Sequence, residues 1–389
     1  MTTNKNQRLL ALDVMRGLTI AGMIMVNNPG SWSSVYAPLR HASWNGLTPT
    51  DLVFPFFMFI MGVSTYISLS KYKFEWSAQA VWKIVRRTLV IFAIGLGLAW
   101  LGLFFRNWHA MSGEEISLLD RLVRAKFSLG DIRILGVLQR LALSYGAAAL
   151  IVLAVKRYQQ LAYIAAALLV GYTLLLFLGK GFEYNETNLL SVVDRAVIGE
   201  RHMYKDKGIE PEGLLSTIPS IAHVLIGFCC GRILTDRSKD LRDKILSLFL
   251  IGTVLTFTGF LLAYGCPINK KVWSPTFVLT TCGMGASLLA LLVWIIDAKG
   301  MKKRVTFFEA FGVNPLFMYV VAAIMSTLLG AVRWTKGEAM VNLHGFIYND
   351  LLRPWLGDYP ASLAYALLFV TFVWACGYVL YKKKVYIKI

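Results

Sequence analysis

The chain has 389 residues, 57% of them hydrophobic and 16% charged, with a formal net charge of +18. A mean hydropathy of +0.58 and so low a charged fraction exclude an ordinary soluble domain, where about a quarter of residues are charged. The positive excess would suit a nucleic-acid surface, but the Lys and Arg lie between apolar runs rather than along one basic face.

Apolar runs of about 17–25 residues cover a hydrocarbon core of about 30 Å. About ten occur, at 9–27, 52–70, 89–105, 134–155, 161–179, 214–231, 245–264, 277–297, 306–330 and 361–381. A spanning segment must satisfy its own backbone, so each reads as a helix. None shows the alternation of barrel strands. The fold class expected is all-α: a polytopic integral membrane protein of about ten transmembrane helices, with residues 1–389 forming one transmembrane domain.

The run 9–27 carries Asp13 and Arg16 in "LLALDVMRGLTI". No small-residue cleavage site leads out of it, so it reads as a retained helix rather than a signal peptide. Asp13 and Arg16 are three residues apart and share a helical face. They are either a self-compensating pair that fixes packing or a ligand or proton contact inside the bundle.

The loop that follows holds Asn27, Asn28, Trp32, Tyr36, His41, Trp44 and Asp51, and ends in "LRHASWNGLTPTDLVFPFFMFIMG". Pro49 and Pro55 stiffen the approach to the second run. A His near neutral pKa beside a carboxylate can serve as base or nucleophile. The aromatics either anchor the interface or stack on a ligand ring.

In "DIRILGVLQRLALSYG" Arg133 stands at the lip of the fourth run. Gln139 and Arg140 follow about 10 Å deeper, at about 1.5 Å per residue. Arg140 either pairs with a buried carboxylate such as Asp13 or binds an anion, for which a guanidinium fork suits phosphate. His223, inside "PSIAHVLIGF", reads as a packing residue; His109, His202 and His344 fall in loops. Cys229, Cys230, Cys266, Cys282 and Cys376 lie in or beside apolar runs without zinc spacing, so small buried hydrophobes are expected and no metal site.

Basic residues cluster in alternate loops. Lys71, Lys73, Lys83, Arg86 and Arg87 follow the second run. Lys156 and Arg157 follow the fourth, and Arg232, Arg237, Lys239, Arg242 and Lys244 the sixth. Lys299, Lys302, Lys303 and Arg304 follow the eighth, and Lys382, Lys383, Lys384 and Lys388 end the chain. The positive-inside rule then puts both termini in the cytoplasm and the loop 28–50 on the other side. The long loops 106–133 and 180–213 mix both signs and do not oppose this.

"RHASWNGLTPTDLVFPFFMFIMG" resembles the signature of the heparan-α-glucosaminide N-acetyltransferase family. "LDVMRGLTIAGMIMVNN", "RILGVLQRLALSY", "EPEGLLSTIPSI", "NKKVWSPTFVLTT", "FGVNPLFMYV" and the ending "YKKKVYIKI" resemble further stretches of it, in order through nearly the whole chain. The resemblance implies a membrane enzyme that moves acetyl from cytoplasmic acetyl-CoA to the amino group of a glucosamine on the far side. The family's active-site His falls on His41 and its Asn on Asn27, with Asn28 the alternative because the Asn-to-His loop is longer here. Animal members carry a further luminal portion and one more N-terminal span without counterpart in this sequence. The acceptor is therefore open between heparan-like polymer, oligosaccharide and free glucosamine, the last fitting bacterial-type relatives associated with amino-sugar use.

The expected machinery is His41 as general base or acetyl carrier, Asp51 orienting it, and Asn27 at the oxyanion. Arg140, Gln139, Arg16 and Asp13 would hold the acetyl-CoA donor. The expected location is a bacterial inner membrane. Expected partners are an amino-sugar or glycan acceptor, acetyl-CoA, membrane lipids and, as one option, a second copy of the chain, with no nucleic acid. Two other readings stand beside this one: an O-acetyltransferase of a surface glycan, and a sugar or glycolipid transporter without chemistry, which needs no reactive imidazole at the lip.

Overall fold

The computed structural model describes residues 9–387 except 113–115, 128 and 304; Arg304 and Lys388 lie outside the described residues. The protein is an all-α polytopic membrane protein. Among the described residues nine helices are long and apolar enough to cross a bilayer, or ten if one bent pair counts as a span.

In chain order the helices are α1 (Leu10–Asn27), α2 (Val53–Leu69), α3 (Ala78–Ala110), a short α4 (Leu118–Phe127), α5 (Val137–Ala154) and α6 (Tyr158–Leu178). There follow a short α7 (Leu189–Val197), α8 (Thr217–Thr235), α9 (Leu241–Leu262), α10 (Pro275–Val293), α11 (Thr306–Val313), α12 (Pro315–Ala331) and α13 (Asp358–Lys382). α1, α2, α5, α8 and α10 form the interior, while α3 and α9 present most of their apolar surface outward. That division follows composition: the inner helices carry the polar residues and the small residues that let backbones approach. A Cβ on Gly62 of α2 would stand 2.2 Å from the Val224 carbonyl oxygen, and one on Gly227 of α8 would stand 2.3 Å from that of Phe59.

The run 306–330 is not one straight span. It breaks at Asn314 into α11 and α12, which meet at 87°. Pro315 has no N–H to continue the helix, and a residue before proline is driven out of the α region. Asn314 takes φ −127° and ψ 58°. Its side chain clamps the C-terminal tail, Nδ2 donating to the Val385 carbonyl at 2.8 Å and Oδ1 accepting from the Ile387 amide at 2.8 Å. α11 lies against α1 so closely that a Cβ on Gly17 would stand 1.7 Å from the Phe308 carbonyl oxygen.

Among the described residues several elements had no counterpart in the apolar pattern, including two short helices and a ribbon. α4 and α7 are short and amphipathic. Arg333–Lys336 and Ala339–Asn342 pair as an antiparallel ribbon about a turn in which Gly337 takes φ +63°, a conformation glycine adopts without strain.

Candidate active site

His41 lies in the loop between α1 and α2, and Asp51 in the single 3-10 turn Pro49–Leu52 that starts α2. Pro49 begins this turn at a position where its missing N–H costs nothing, and α1 packs on the same turn. The turn points the Asp51 carboxylate back at the loop. Its Oδ2 accepts from the Ala42 amide at 3.0 Å, the Thr48 amide at 3.2 Å and the Thr48 hydroxyl at 2.9 Å. Its Oδ1 lies 2.6 Å from His41 Nδ1. The Asp51 side chain is 1% exposed and that of His41 45%: a fixed, enclosed carboxylate carries a reachable imidazole. In the tautomer that donates from Nδ1 to this oxygen, Nε2 keeps a lone pair, as a general base requires.

Lys270 completes the group, with Nζ 3.0 Å from His41 Nδ1 and 3.4 Å from Asp51 Oδ1. Burial holds its ammonium pKa below the usual lysine value, although Asp51 pulls the other way. Neighbouring residues fix its place. The buried Asn269 donates from Nδ2 to Asn45 Oδ1 at 3.0 Å, and the Gly46 amide donates to the Ile268 carbonyl at 2.8 Å. The segment before α10 and the His41 loop are thereby one unit. Trp44 joins the 180–213 loop to it. Its Nε1 donates to the Phe182 carbonyl at 2.8 Å, and its ring stacks on Tyr184 with centroids 4.5 Å apart, so one of its faces is taken by protein. Tyr36 lies against Tyr359, whereas Trp32 is exposed.

Asn28 donates its side-chain amide to the Ile24 carbonyl at 2.8 Å. Asn27 instead carries an exposed side chain in the last turn of α1, so of the two it is the one left available to a ligand.

A second charged cluster stands between α7 and α8. Arg133 donates from Nε to Glu210 Oε2 at 3.2 Å and from Nη2 to Glu212 Oε2 at 2.5 Å. Burial pushes the Glu210 carboxyl up against the pull of Arg133. Asp194, also buried, accepts from the Leu214 amide at 2.8 Å, and burial raises its carboxyl to about 6. Below this cluster Arg140, fully buried, donates to the Gly213 carbonyl at 3.0 Å and to the Ser216 hydroxyl. Its guanidinium lies 5.3 Å from the centre of the Trp273 ring. Arg140 Nε and Trp273 Nε1 are buried donors without a partner among the described residues. Such atoms are rare in a folded interior and call for a ligand or ordered water.

The structure thus joins His41 to Asp51 and sets Arg140 beneath the unit that holds them. It does not bring Arg140 to Asp13. Asp13 accepts from Arg16 Nη1 at 2.8 Å, and Arg16 also donates to the Gly312 carbonyl at 3.1 Å and the Ser64 hydroxyl at 2.8 Å. Arg16 therefore caps the end of the broken helix α11 and ties it to α1 and α2. Gln139 turns to α3, so close that a Cβ on Gly95 would stand 2.5 Å from its Oε1. His223 is buried beside Trp273, and His202 and His344 contact the carbonyls of Ile132 and Pro29. Cys230, Cys266 and Cys282 are buried, and Cys229 and Cys376 half-buried.

Sequence reasoning passed over Lys270, Thr48, Trp273 and the Arg133–Glu210–Glu212 cluster. "NKKVWSPTFVLTT" and "EPEGLLSTIPSI" were the available signals, since both put charge beside a proline-bounded apolar run.

Apolar spans and a His–Asp pair at the rim define a polytopic integral membrane protein with a candidate catalytic centre at one end of the bundle. Residues 8–265 match the family described as heparan-alpha-glucosaminide N-acetyltransferase, catalytic, and the chain belongs to that family. Among its relatives is the heparan-alpha-glucosaminide N-acetyltransferase of Homo sapiens, 28% identical over 372 residues that cover 80% of this chain and 52% of the relative. The Mus musculus protein of the same name is 26% identical over 444 residues, covering 98% of this chain and 60% of the relative. The chain therefore spans between half and three-fifths of the length of these relatives.

Proposed function

We propose that the protein transfers acetyl from acetyl-CoA, held from the Lys/Arg-rich face, to the amino group of a glucosamine-type sugar at the opposite face. The 2.6 Å contact between His41 Nδ1 and Asp51 Oδ1 carries this reading, because it leaves a half-exposed imidazole with a free Nε2 at the rim. In the proposed step His41 Nε2 takes a proton from the acceptor ammonium, and the amine attacks the thioester carbonyl. A C–N bond forms, the C–S bond breaks, the thiolate leaves with the proton returned from His41, and the second proton of the attacking nitrogen passes to solvent. Asp51 holds the tautomer and offsets the transient imidazolium charge. Asn27 donates to the developing oxyanion, where one such donor is typically worth about 10²–10³ in rate. The open donors Arg140 Nε and Trp273 Nε1 suit carbonyl or phosphate oxygens of the donor. Asp13, Arg16 and Gln139 are proposed for the same donor, with Arg16 also donating to the Gly312 carbonyl and the Ser64 hydroxyl.

A direct attack is favoured over an acetyl-His41 intermediate, since a half-exposed acetyl-imidazole would lie open to hydrolysis. The purified protein in detergent, given acetyl-CoA and glucosamine, should form N-acetylglucosamine detectable by mass spectrometry. Acetyl found only on a sugar hydroxyl, or on none of glucosamine and its oligomers, would overturn the proposal.

A further inference from the structure

We propose that Lys270 is a positioning residue whose ammonium keeps the His41 imidazole neutral by sharing the Asp51 carboxylate with it. An Asp51–His41 pair alone would favour the charged imidazolium, because a carboxylate in contact stabilises a cation. A histidine held as imidazolium has no lone pair to accept a proton, so the contact that orients the base also tends to disable it.

Lys270 supplies the counterweight. Its Nζ reaches Asp51 Oδ1 at 3.4 Å, the oxygen that faces His41, and stands 3.0 Å from His41 Nδ1. In the tautomer that donates from Nδ1 to Asp51, the ammonium cannot also donate to that atom. The approach is a contact between a cation and a ring N–H, unfavourable to any second proton on the ring. The lysine side chain is 21% exposed and so only partly screened by water. Other charges nearby are committed elsewhere. Lys271 contacts Asp206 at 2.7 Å and the Tyr184 hydroxyl at 2.8 Å. Glu212 is held by Arg133, which also holds Glu210. Arg40, next to His41 in the chain, donates to the Val35 carbonyl and the Tyr359 hydroxyl, so the charged groups in direct contact with the His41 ring are Asp51 and Lys270, one of each sign.

Lys270 also lies beyond the residues matched by the family description, which end at 265, yet Asn269 fastens it to the His41 loop. The role assigned to it rests on the base reading of His41 but is tested apart from it. Diethyl pyrocarbonate reacts with unprotonated imidazole, so the rate at the His41 peptide, followed by mass spectrometry from pH 5 to 9, reads its protonation without any turnover.

Lys270→Met, and Lys270→Gln as a second neutral variant, should move the midpoint for His41 upward by about one pH unit. Lys270→Arg should leave it near wild type. The His202 and His344 peptides of the same samples should keep their own midpoints, reporting an intact fold. Neutral variants that titrate with wild type, or an Arg variant that shifts as far as the Met variant, would overturn the role. If wild-type protein forms no acetylated sugar, the proposed function fails while the midpoints still decide the role of Lys270.

Discussion

His41→Ala should lose at least two orders of magnitude in turnover while acetyl-CoA binds with unchanged affinity. A positioned general base typically contributes about 10²–10⁴-fold, and among the described residues no second imidazole contacts Asp51 to replace it. The donor's proposed contacts are Arg140 and Trp273, the guanidinium 5.3 Å from the ring centre, and not His41, so binding and turnover should separate. Single-turnover rates together with calorimetric titration of acetyl-CoA measure both. Near-normal turnover would remove His41 from the mechanism. Radiolabelled acetyl-CoA given without sugar adds a second reading, because lasting label on wild type that is absent from the variant would replace the base with an acetyl-carrying nucleophile.

Asp51→Asn should be nearly as costly, by about 10²–10⁴-fold in turnover, although it changes the side-chain shape little. The Ala42 and Thr48 amides still require an acceptor, so the amide oxygen takes the place of Oδ2 and the amide nitrogen faces His41. An N–H directed at Nδ1 makes that atom the acceptor and puts the ring proton on Nε2. The base then presents the wrong tautomer, the mechanism by which the equivalent change disables a Ser–His–Asp enzyme. Rates of Asp51→Asn and His41→Ala, measured with the double variant, should be far from additive because the two residues act as one unit. A fully additive pair would mean that Asp51 serves the loop and not the imidazole.

Hydrophobic run length was enough to read the helices, because a bilayer demands about twenty apolar residues wherever it is crossed. It was blind to the break at Asn314, since Pro315 sits inside a run whose apolar character continues on both sides. It was equally blind to α4, α7 and the 333–342 ribbon, whose polar faces give no membrane signal. His41 and Asp51 were legible because they are close in sequence and joined by a proline-started turn. Lys270 was not: its distance along the chain from His41 is closed by Asn269 and Asn45, a contact between two loops that no local pattern records. The half-buried Arg16, three residues from Asp13, also donates to Gly312 and Ser64, on helices that come together only in the fold and that no local pattern records.

The most direct test of acetyl passage through the bundle uses sealed proteoliposomes with the two substrates on chosen sides. Glucosamine trapped inside and acetyl-CoA supplied only outside should give N-acetylglucosamine within the lumen. The same liposomes with both substrates outside and none inside should give almost none. Product formed readily with both substrates on one side would contradict an active site whose donor and acceptor approach from opposite faces.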